Sequence, residues 1–176
     1  MDTCVVNFML DHGEQIYDGG AMPADANQRV ARDIEAMYDI MFVGKRAMWQ
    51  LAISPHTYQE IAATRDGGRR HRLDPWFEDL WQYWLGIIHE NDDLPSFVEA
   101  EDTRVRLLGS GILDVLPDMA DRVLVCDAVV YRCDVFCTRD WATILKHRGH
   151  LSELPLRIVT PVEWWSSIQP YAPLWV

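Results

Sequence analysis

No run of 18 or more apolar residues occurs in the 176-residue chain, so nothing in it is long enough to cross a bilayer as a helix. The amino terminus, Met1-Asp2, opens on a carboxylate instead of the basic and then apolar regions of a secretory leader. Basic side chains are scarce: 16 Lys and Arg stand against 27 Asp and Glu, for a net charge of −11. That balance excludes duplex binding driven by bulk charge, although it leaves room for a local basic patch. Cysteine is limited to Cys4, Cys126, Cys133 and Cys137. Three of these lie in apolar, periodic surroundings, and none has the paired spacing of a zinc site, so they read as small packing residues. With no membrane segment, leader or disulfide pattern, the expectation is a cytoplasmic protein.

What the chain does have is apolar material. A hydrophobic fraction of 49%, with 11% aromatics, is ample for one core. Repeats, low-complexity tracts and linkers are missing, so residues 1–176 are expected to form a single domain.

Hydrophobic periodicity places the elements. Residues 2–10 read as a very short strand running into a helix. Ile34, Met37, Tyr38, Met41 and Phe42 recur at helical spacing, which predicts a helix over 25–43 with Gly44 as its stop. Trp49 to Ile53 reads as a strand, and Ser54-Pro55 supplies an N-cap and first-turn proline for a helix that carries Glu60. Asp74-Pro75 starts another helix, with Phe77, Leu80, Trp81, Trp84 and Ile88 on one face and an end at Asn91 to Pro95. After a break at Gly109-Ser110-Gly111, Pro117-Asp118 opens a helix to about Cys133. Then come a strand to Thr138, a helix from Asp140 or Trp141 to His147, a strand from Arg157 to Thr160, and a last helix opened by Pro161. Alternation of strand and helix predicts a largely parallel sheet covered by helices.

Four carboxylates fall near predicted strand ends or early helix turns: Asp2, Glu60, Asp121 and Asp140. Asp121 shares a helix face with Val125, Ala128 and Arg132, whereas Asp127 lies about 240° further round a helix turning roughly 100° per residue. On the strand, the two-residue period puts Thr138 and Asp140 on the same side. In parallel α/β sheets ligands bind beyond the carboxyl ends of the strands. Acidic side chains converging there would form a divalent-metal site. The alternative is that each caps a helix. The positive charge concentrates in Arg65-Asp66-Gly67-Gly68-Arg69-Arg70-His71-Arg72, a turn-prone stretch dense in guanidinium groups. Its Arg65, Arg69, Arg70 and Arg72, with Lys146, His147 and Arg148, are candidates for phosphate contact, solvated surface cations being the alternative. The tryptophan-rich stripe around Trp81 and Trp84 reads as core or dimer contact.

Three segments resemble the PIN domain family of metal-dependent ribonucleases. Asp2-Thr3-Cys4-Val5-Val6-Asn7 is similar to the family's opening motif of Asp, Thr and usually Asn, with Cys4 in place of the Asn. Ile53-Ser54-Pro55-His56-Thr57-Tyr58-Gln59-Glu60-Ile61 resembles its second strand and Glu-bearing helix. Asp121 with Ala128, followed by Cys133-Asp134-Val135-Phe136-Cys137-Thr138-Arg139-Asp140, resembles its Asp-to-Ala helix and Thr-x-Asp strand end. The closing Leu156-Arg157-Ile158-Val159-Thr160-Pro161-Val162-Glu163-Trp164 is similar to the family's last strand and turn. The resemblance implies a three-layer α/β/α fold with a central, mostly parallel sheet, residues 62–116 being a largely helical insertion. It also implies an acidic cluster of Asp2, Glu60, Asp121 and Asp140 with Thr138 beside it, binding Mg²⁺ or Mn²⁺ and hydrolysing RNA phosphodiester bonds. Other readings compatible with the residues are an inactive PIN-like binding module, a toxin component held by an antitoxin protein, and another metal-dependent phosphoester hydrolase. A homodimer is the remaining partner reading.

Overall fold

Among the described residues seven helices precede the first strand: α1 (Thr3–Asp11), α2 (Gly13–Asp18), α3 (Gln28–Ala47), α4 (Pro55–Ala62), α5 (Gly67–Glu90), α6 (Phe97–Gly109) and α7 (Met119–Val130). Strand β1 (Val135–Cys137), helix α8 (Ile144–His147), strand β2 (Arg157–Val159) and helix α9 (Pro161–Ile168) complete the order, with 3₁₀ turns at Arg148–Leu151 and Gln169–Trp175. This computed structural model describes residues 1–62 and 67–175, and the side chains of 1–61 and 78–175.

The predicted three-layer α/β/α fold with a central sheet is not what forms. Helix takes 65% of the chain and strand 4%, and the sheet is a single parallel pair in register Val135 with Arg157, Phe136 with Ile158 and Cys137 with Val159. The parallel pairing of these two strands is as expected, but the strand predicted at Trp49 to Ile53 does not form. Asp2 is already the N-cap of α1, its side chain accepting from Cys4 N–H. Only Met1 and Asp2 therefore lie extended beside β1. They make one backbone hydrogen bond to it, from Asp2 N–H to Cys137 C=O at 3.1 Å, and one from the Met1 amino group to Ala52 C=O at 2.8 Å.

The short sheet still separates two apolar packs. Phe136 belongs to a cluster with Val125, Leu124, Ile53 and Trp84, while Cys137 belongs to a second with Val5, Met9, Ile34 and Met37. That is the strand's two-residue alternation serving two cores at once. Along α5, Leu80, Trp84 and Ile88 are buried as the periodicity requires.

Several boundaries differ from expectation, among them the start of α8, at Ile144 and not at Asp140 or Trp141. The α3 helix passes through Gly44 to Ala47 and closes at Met48 in a left-handed conformation (φ 54°), whose cap is bonded back to Gly44 C=O. Gly44 instead makes room: a Cβ there would lie 3.0 Å from the Trp49 ring. The α5 helix begins at Gly67, so residues 67–72 are helical, contrary to the loop expected there, and the helix does not start at Asp74-Pro75. The α7 helix ends at Val130, before Cys133.

The end of the sheet is fixed by a strong cap. Thr160 Oγ1 accepts from Glu163 N–H (3.2 Å) and Glu163 Oε2 accepts from Thr160 N–H (2.9 Å), a capping box with Pro161 in the first turn. Arg148 adds a two-pronged pair to the same carboxylate, including Nη2 to Oε1 at 2.7 Å. These bonds, that of Arg148 first, hold the Glu163 carboxyl at about 2, below its ordinary 4.5. Because the folded-state value is depressed, this stability is present above the unfolded value and is lost as pH falls from about 4.5 towards 2. Glu163→Gln is expected to cost about 1 kcal/mol at pH 7, a figure reduced for the exposed pair. Urea melts at pH 7 and pH 3 should show the gap between variant and wild type closing at the lower pH.

Candidate functional site

Beyond the carboxyl end of β1, Asp121 and Asp140 share the hydroxyl of Thr143, and Asp2 bonds to Thr138 just past the strand. Asp2 is buried, at 4% exposure. Its Oδ1 accepts from Cys4 N–H (3.3 Å), and its Oδ2 accepts from the Cys4 thiol (2.8 Å) and the Thr138 hydroxyl. Thr138, fully buried just past the strand, also accepts from Asp140 N–H at 3.0 Å. Asp140 then turns the chain as a cap: its Oδ1 accepts from the N–H groups of Ala142 (2.8 Å) and Thr143 (3.0 Å). Asp121 stands in the first turn of α7, where the helix dipole favours an anion.

Thr143 joins the last two. Its Oγ1 lies 2.6 Å from Asp121 Oδ2 and in close contact with Asp140 Oδ2. A hydroxyl carries one proton, so it can donate to only one of the two carboxylates at a time. Burial raises the Asp121 carboxyl above its ordinary value; the Thr143 hydrogen bond opposes this, and Asp140, Asp118 and Asp2 push it up again by like charge. Thr143→Val removes the one opposing influence. The Asp121 carboxyl is therefore expected to titrate at still higher pH in that variant, measurable by carbon NMR of labelled aspartate. An unchanged titration would mean that the hydroxyl serves Asp140 alone.

Glu60 sits one step away. Its Oε2 accepts from Thr3 Oγ1 at 2.6 Å, and Thr3 Oγ1 is 3.1 Å from the buried Thr57 hydroxyl. His56 Nε2 approaches Glu60 Oε1 at 3.5 Å from the preceding turn. Because Thr3 follows Asp2 directly, Glu60 is attached to the start of the same helix that Asp2 caps, while Asp121 senses Asp140, Asp118 and Asp2. Thr143 thus joins Asp121 to Asp140, Thr138 bonds to Asp2, and Glu60 bonds to Thr3. Asp127, excluded by helical geometry, does face elsewhere, pairing with Arg104 and Ser54.

Two supports escape the sequence reading. A hydroxyl three residues after an aspartate is common in a helix start, so the spacing of Thr143 to Asp140 is the only signal it offers. Arg139 donates from Nε to buried Asp33 at 2.8 Å and lies 3.7 Å over the Phe8 ring, anchoring the Thr138-Arg139-Asp140 turn to α3 and α1. Nothing in the local pattern pairs Arg139 with a residue more than one hundred positions earlier.

Among the described residues no group of three or more His, Cys, Asp or Glu is arranged to hold a metal ion. The donor chemistry nevertheless suits a hard cation in a narrower way. Mg²⁺ keeps several waters and is commonly held by one or two carboxylates, and Asp121 and Asp140 are two such groups about one hydroxyl. Of the proposed phosphate contacts, Arg65 lies outside the described residues, as do the side chains of Arg69, Arg70 and Arg72. Arg148 is committed to Glu163. Among the described residues no helix is long and apolar enough to cross a membrane. Comparison of the chain with protein-family models, curated proteins and solved structures finds no match to any of the three.

Proposed function

We propose that the chain is a metal-dependent ribonuclease that hydrolyses phosphodiester bonds of single-stranded or looped RNA at the Asp121 and Asp140 pair. One observation carries the reading: two carboxylates from separate elements bracket a single hydroxyl, and burial and like charge both lift the Asp121 carboxyl. Like-charged carboxylates close together at partly buried positions are costly, and a cation would relieve that cost. Mg²⁺ or Mn²⁺ bound there would supply charge neutralisation at the phosphate and a more acidic water.

The chain's own residues then divide the work. Asp121 and Asp140 would hold the cation. Thr143, whose hydroxyl contacts both carboxylates, would set the distance between them. Asp2, kept in place by Thr138 and Cys4, adds negative charge from the strand side and acts through water. Glu60, oriented by Thr3, is the group at the edge of the cluster able to accept a proton from an attacking water. Phosphate contacts from Arg65, Arg69, Arg70 and Arg72 would position the RNA without reading its sequence. The net charge of −11 makes such local cations necessary, since the rest of the surface repels a polyanion.

The test is direct. Purified protein with a fluorescent single-stranded RNA is expected to cleave it in Mn²⁺ and to stop on chelation, while calorimetry detects Mn²⁺ binding to the protein alone. Binding without cleavage would favour a non-catalytic module. Cleavage that survives chelation would remove the metal from the mechanism.

A further inference from the structure

Trp141 follows Asp140 directly, in the turn between β1 and α8, and is 51% exposed. It belongs to neither apolar cluster, so core packing does not account for it. Its one ring contact among the described residues is with a cation, Arg29, whose Cζ lies 4.3 Å from the indole centroid. We propose that the exposed surface of Trp141 stacks an unpaired nucleobase of single-stranded RNA, with Arg29 as the cation behind the ring, an inference that rests on the ribonuclease reading above and names what selects its substrate.

The platform is held in place from both sides of Asp140. Arg139 donates to Asp33 of α3 at 2.8 Å, and Asp33 is 4% exposed, so that tie is buried. Arg29 stands four residues before Asp33, hence on the same face of α3, and meets Trp141. Asp140 itself binds the N–H groups of Ala142 and Thr143, which fixes the turn that carries the indole. Consecutive Cα atoms lie about 3.8 Å apart. A phosphate brought to Asp121 and Asp140 therefore places the nucleoside beside it within reach of Trp141.

The pair suits a nucleotide by its chemistry. A base in a duplex has both faces covered by its neighbours, whereas an unpaired base is able to lie on an aromatic ring. Arginine fits the position behind the ring, because its planar guanidinium stacks on an aromatic face and keeps N–H donors at its edge for phosphate. Arg104, Arg122, Arg139 and Arg148 are each paired with a carboxylate, while Arg29 has no such partner among the described residues. Its charge is left for a polyanion, in a chain whose net charge of −11 repels one elsewhere. Every base has a π-face, so this subsite reads pairing and not sequence.

The test uses the full chain in Ca²⁺ and follows fluorescence anisotropy of a labelled single-stranded RNA. A strand of the same length that lacks its bases keeps the phosphates and serves as the comparison. Trp141→Ala is expected to weaken binding of the intact RNA about tenfold and to leave the abasic strand unaffected. Trp141→Phe should restore most of the loss, and Trp175→Ala, at an exposed tryptophan of the closing 3₁₀ turn, should change nothing. Arg29→Gln should weaken both strands. Wild-type affinity of Trp141→Ala for the intact RNA would overturn the proposal, as would an equal loss with both strands or a failure of the wild type to bind RNA at all. Binding that depends on Trp141 without any cleavage in Mn²⁺ would keep this site and remove the ribonuclease reading. Cleavage in which Trp141→Ala retains the wild-type KM would do the reverse.

Discussion

Asp121→Asn combined with Asp140→Asn is expected to lower Mn²⁺-dependent RNA cleavage by ~10³-fold or more, since it removes both charges that would hold the cation while leaving the shapes intact. The fold should tolerate the change. The asparagine introduced at position 140 keeps a side-chain oxygen for the N–H groups of Ala142 and Thr143, and asparagine caps as well as aspartate. Removing the Asp121 charge should leave stability at neutral pH unchanged or slightly higher, because burial and like charge already disfavour its ionised form. Loss of cleavage with retained melting temperature is therefore the expected pair of results. Asp114→Asn, on an exposed carboxylate that pairs only with Arg122, serves as the control and should cleave normally. A double variant that still cleaves at the wild-type rate would show that the reaction occurs elsewhere.

How far these residues can be found without coordinates depends on the range of the interaction. Asp118 as cap with Asp121 in the first turn follows from helix-start chemistry, which is local and holds, whereas Thr138 and Asp140 lie past the end of β1, joined by a bond from the Asp140 N–H to the Thr138 hydroxyl and not by a strand's two-residue period. The exclusion of Asp127 is likewise a matter of angle around one helix. The central sheet fails for a non-local reason. A strand needs a neighbouring strand, and among the described residues none pairs with the apolar segment at 49–53, which packs on the core instead. Apolar runs are equally compatible with extended coil packed on a core, and the sequence carries no sign of which neighbour will arrive. Gly44 fails differently: a glycine that reads as a helix stop is a contact residue under Trp49, a distinction that requires knowing where Trp49 turns. In the site, the Thr143 bridge and the pairing of Arg139 with Asp33 are properties of packed side chains, invisible to periodicity.

The largest effect on stability is expected from Asp127→Ala, at about 3–5 kcal/mol. Asp127 is 3% exposed, and each of its oxygens is used: Oδ1 accepts from Arg104 Nε at 2.7 Å and Oδ2 from the Ser54 hydroxyl. Arg104, with 16% of its side chain exposed, would keep only the solvent-facing Glu101 as a partner. An unpaired guanidinium in that position retains its desolvation cost without the carboxylate that offset it. Ser54 would also lose an acceptor, yet Ser54→Ala alone should cost only about 1 kcal/mol, because it removes one neutral donor and a helix cap to His56 N–H. Against a total of roughly 5–15 kcal/mol for a domain, the first loss approaches unfolding and the second does not. The mechanism of the loss can be separated from mere truncation by changing both partners. Arg104→Met with Asp127→Leu removes the charges together and refills the space, so it should recover most of the stability that Asp127→Ala loses. Urea midpoints for the single and double variants decide the matter. If the double variant is as unstable as Asp127→Ala, the orphaned charge is not the cause, and the cost belongs to packing around α6 and α7.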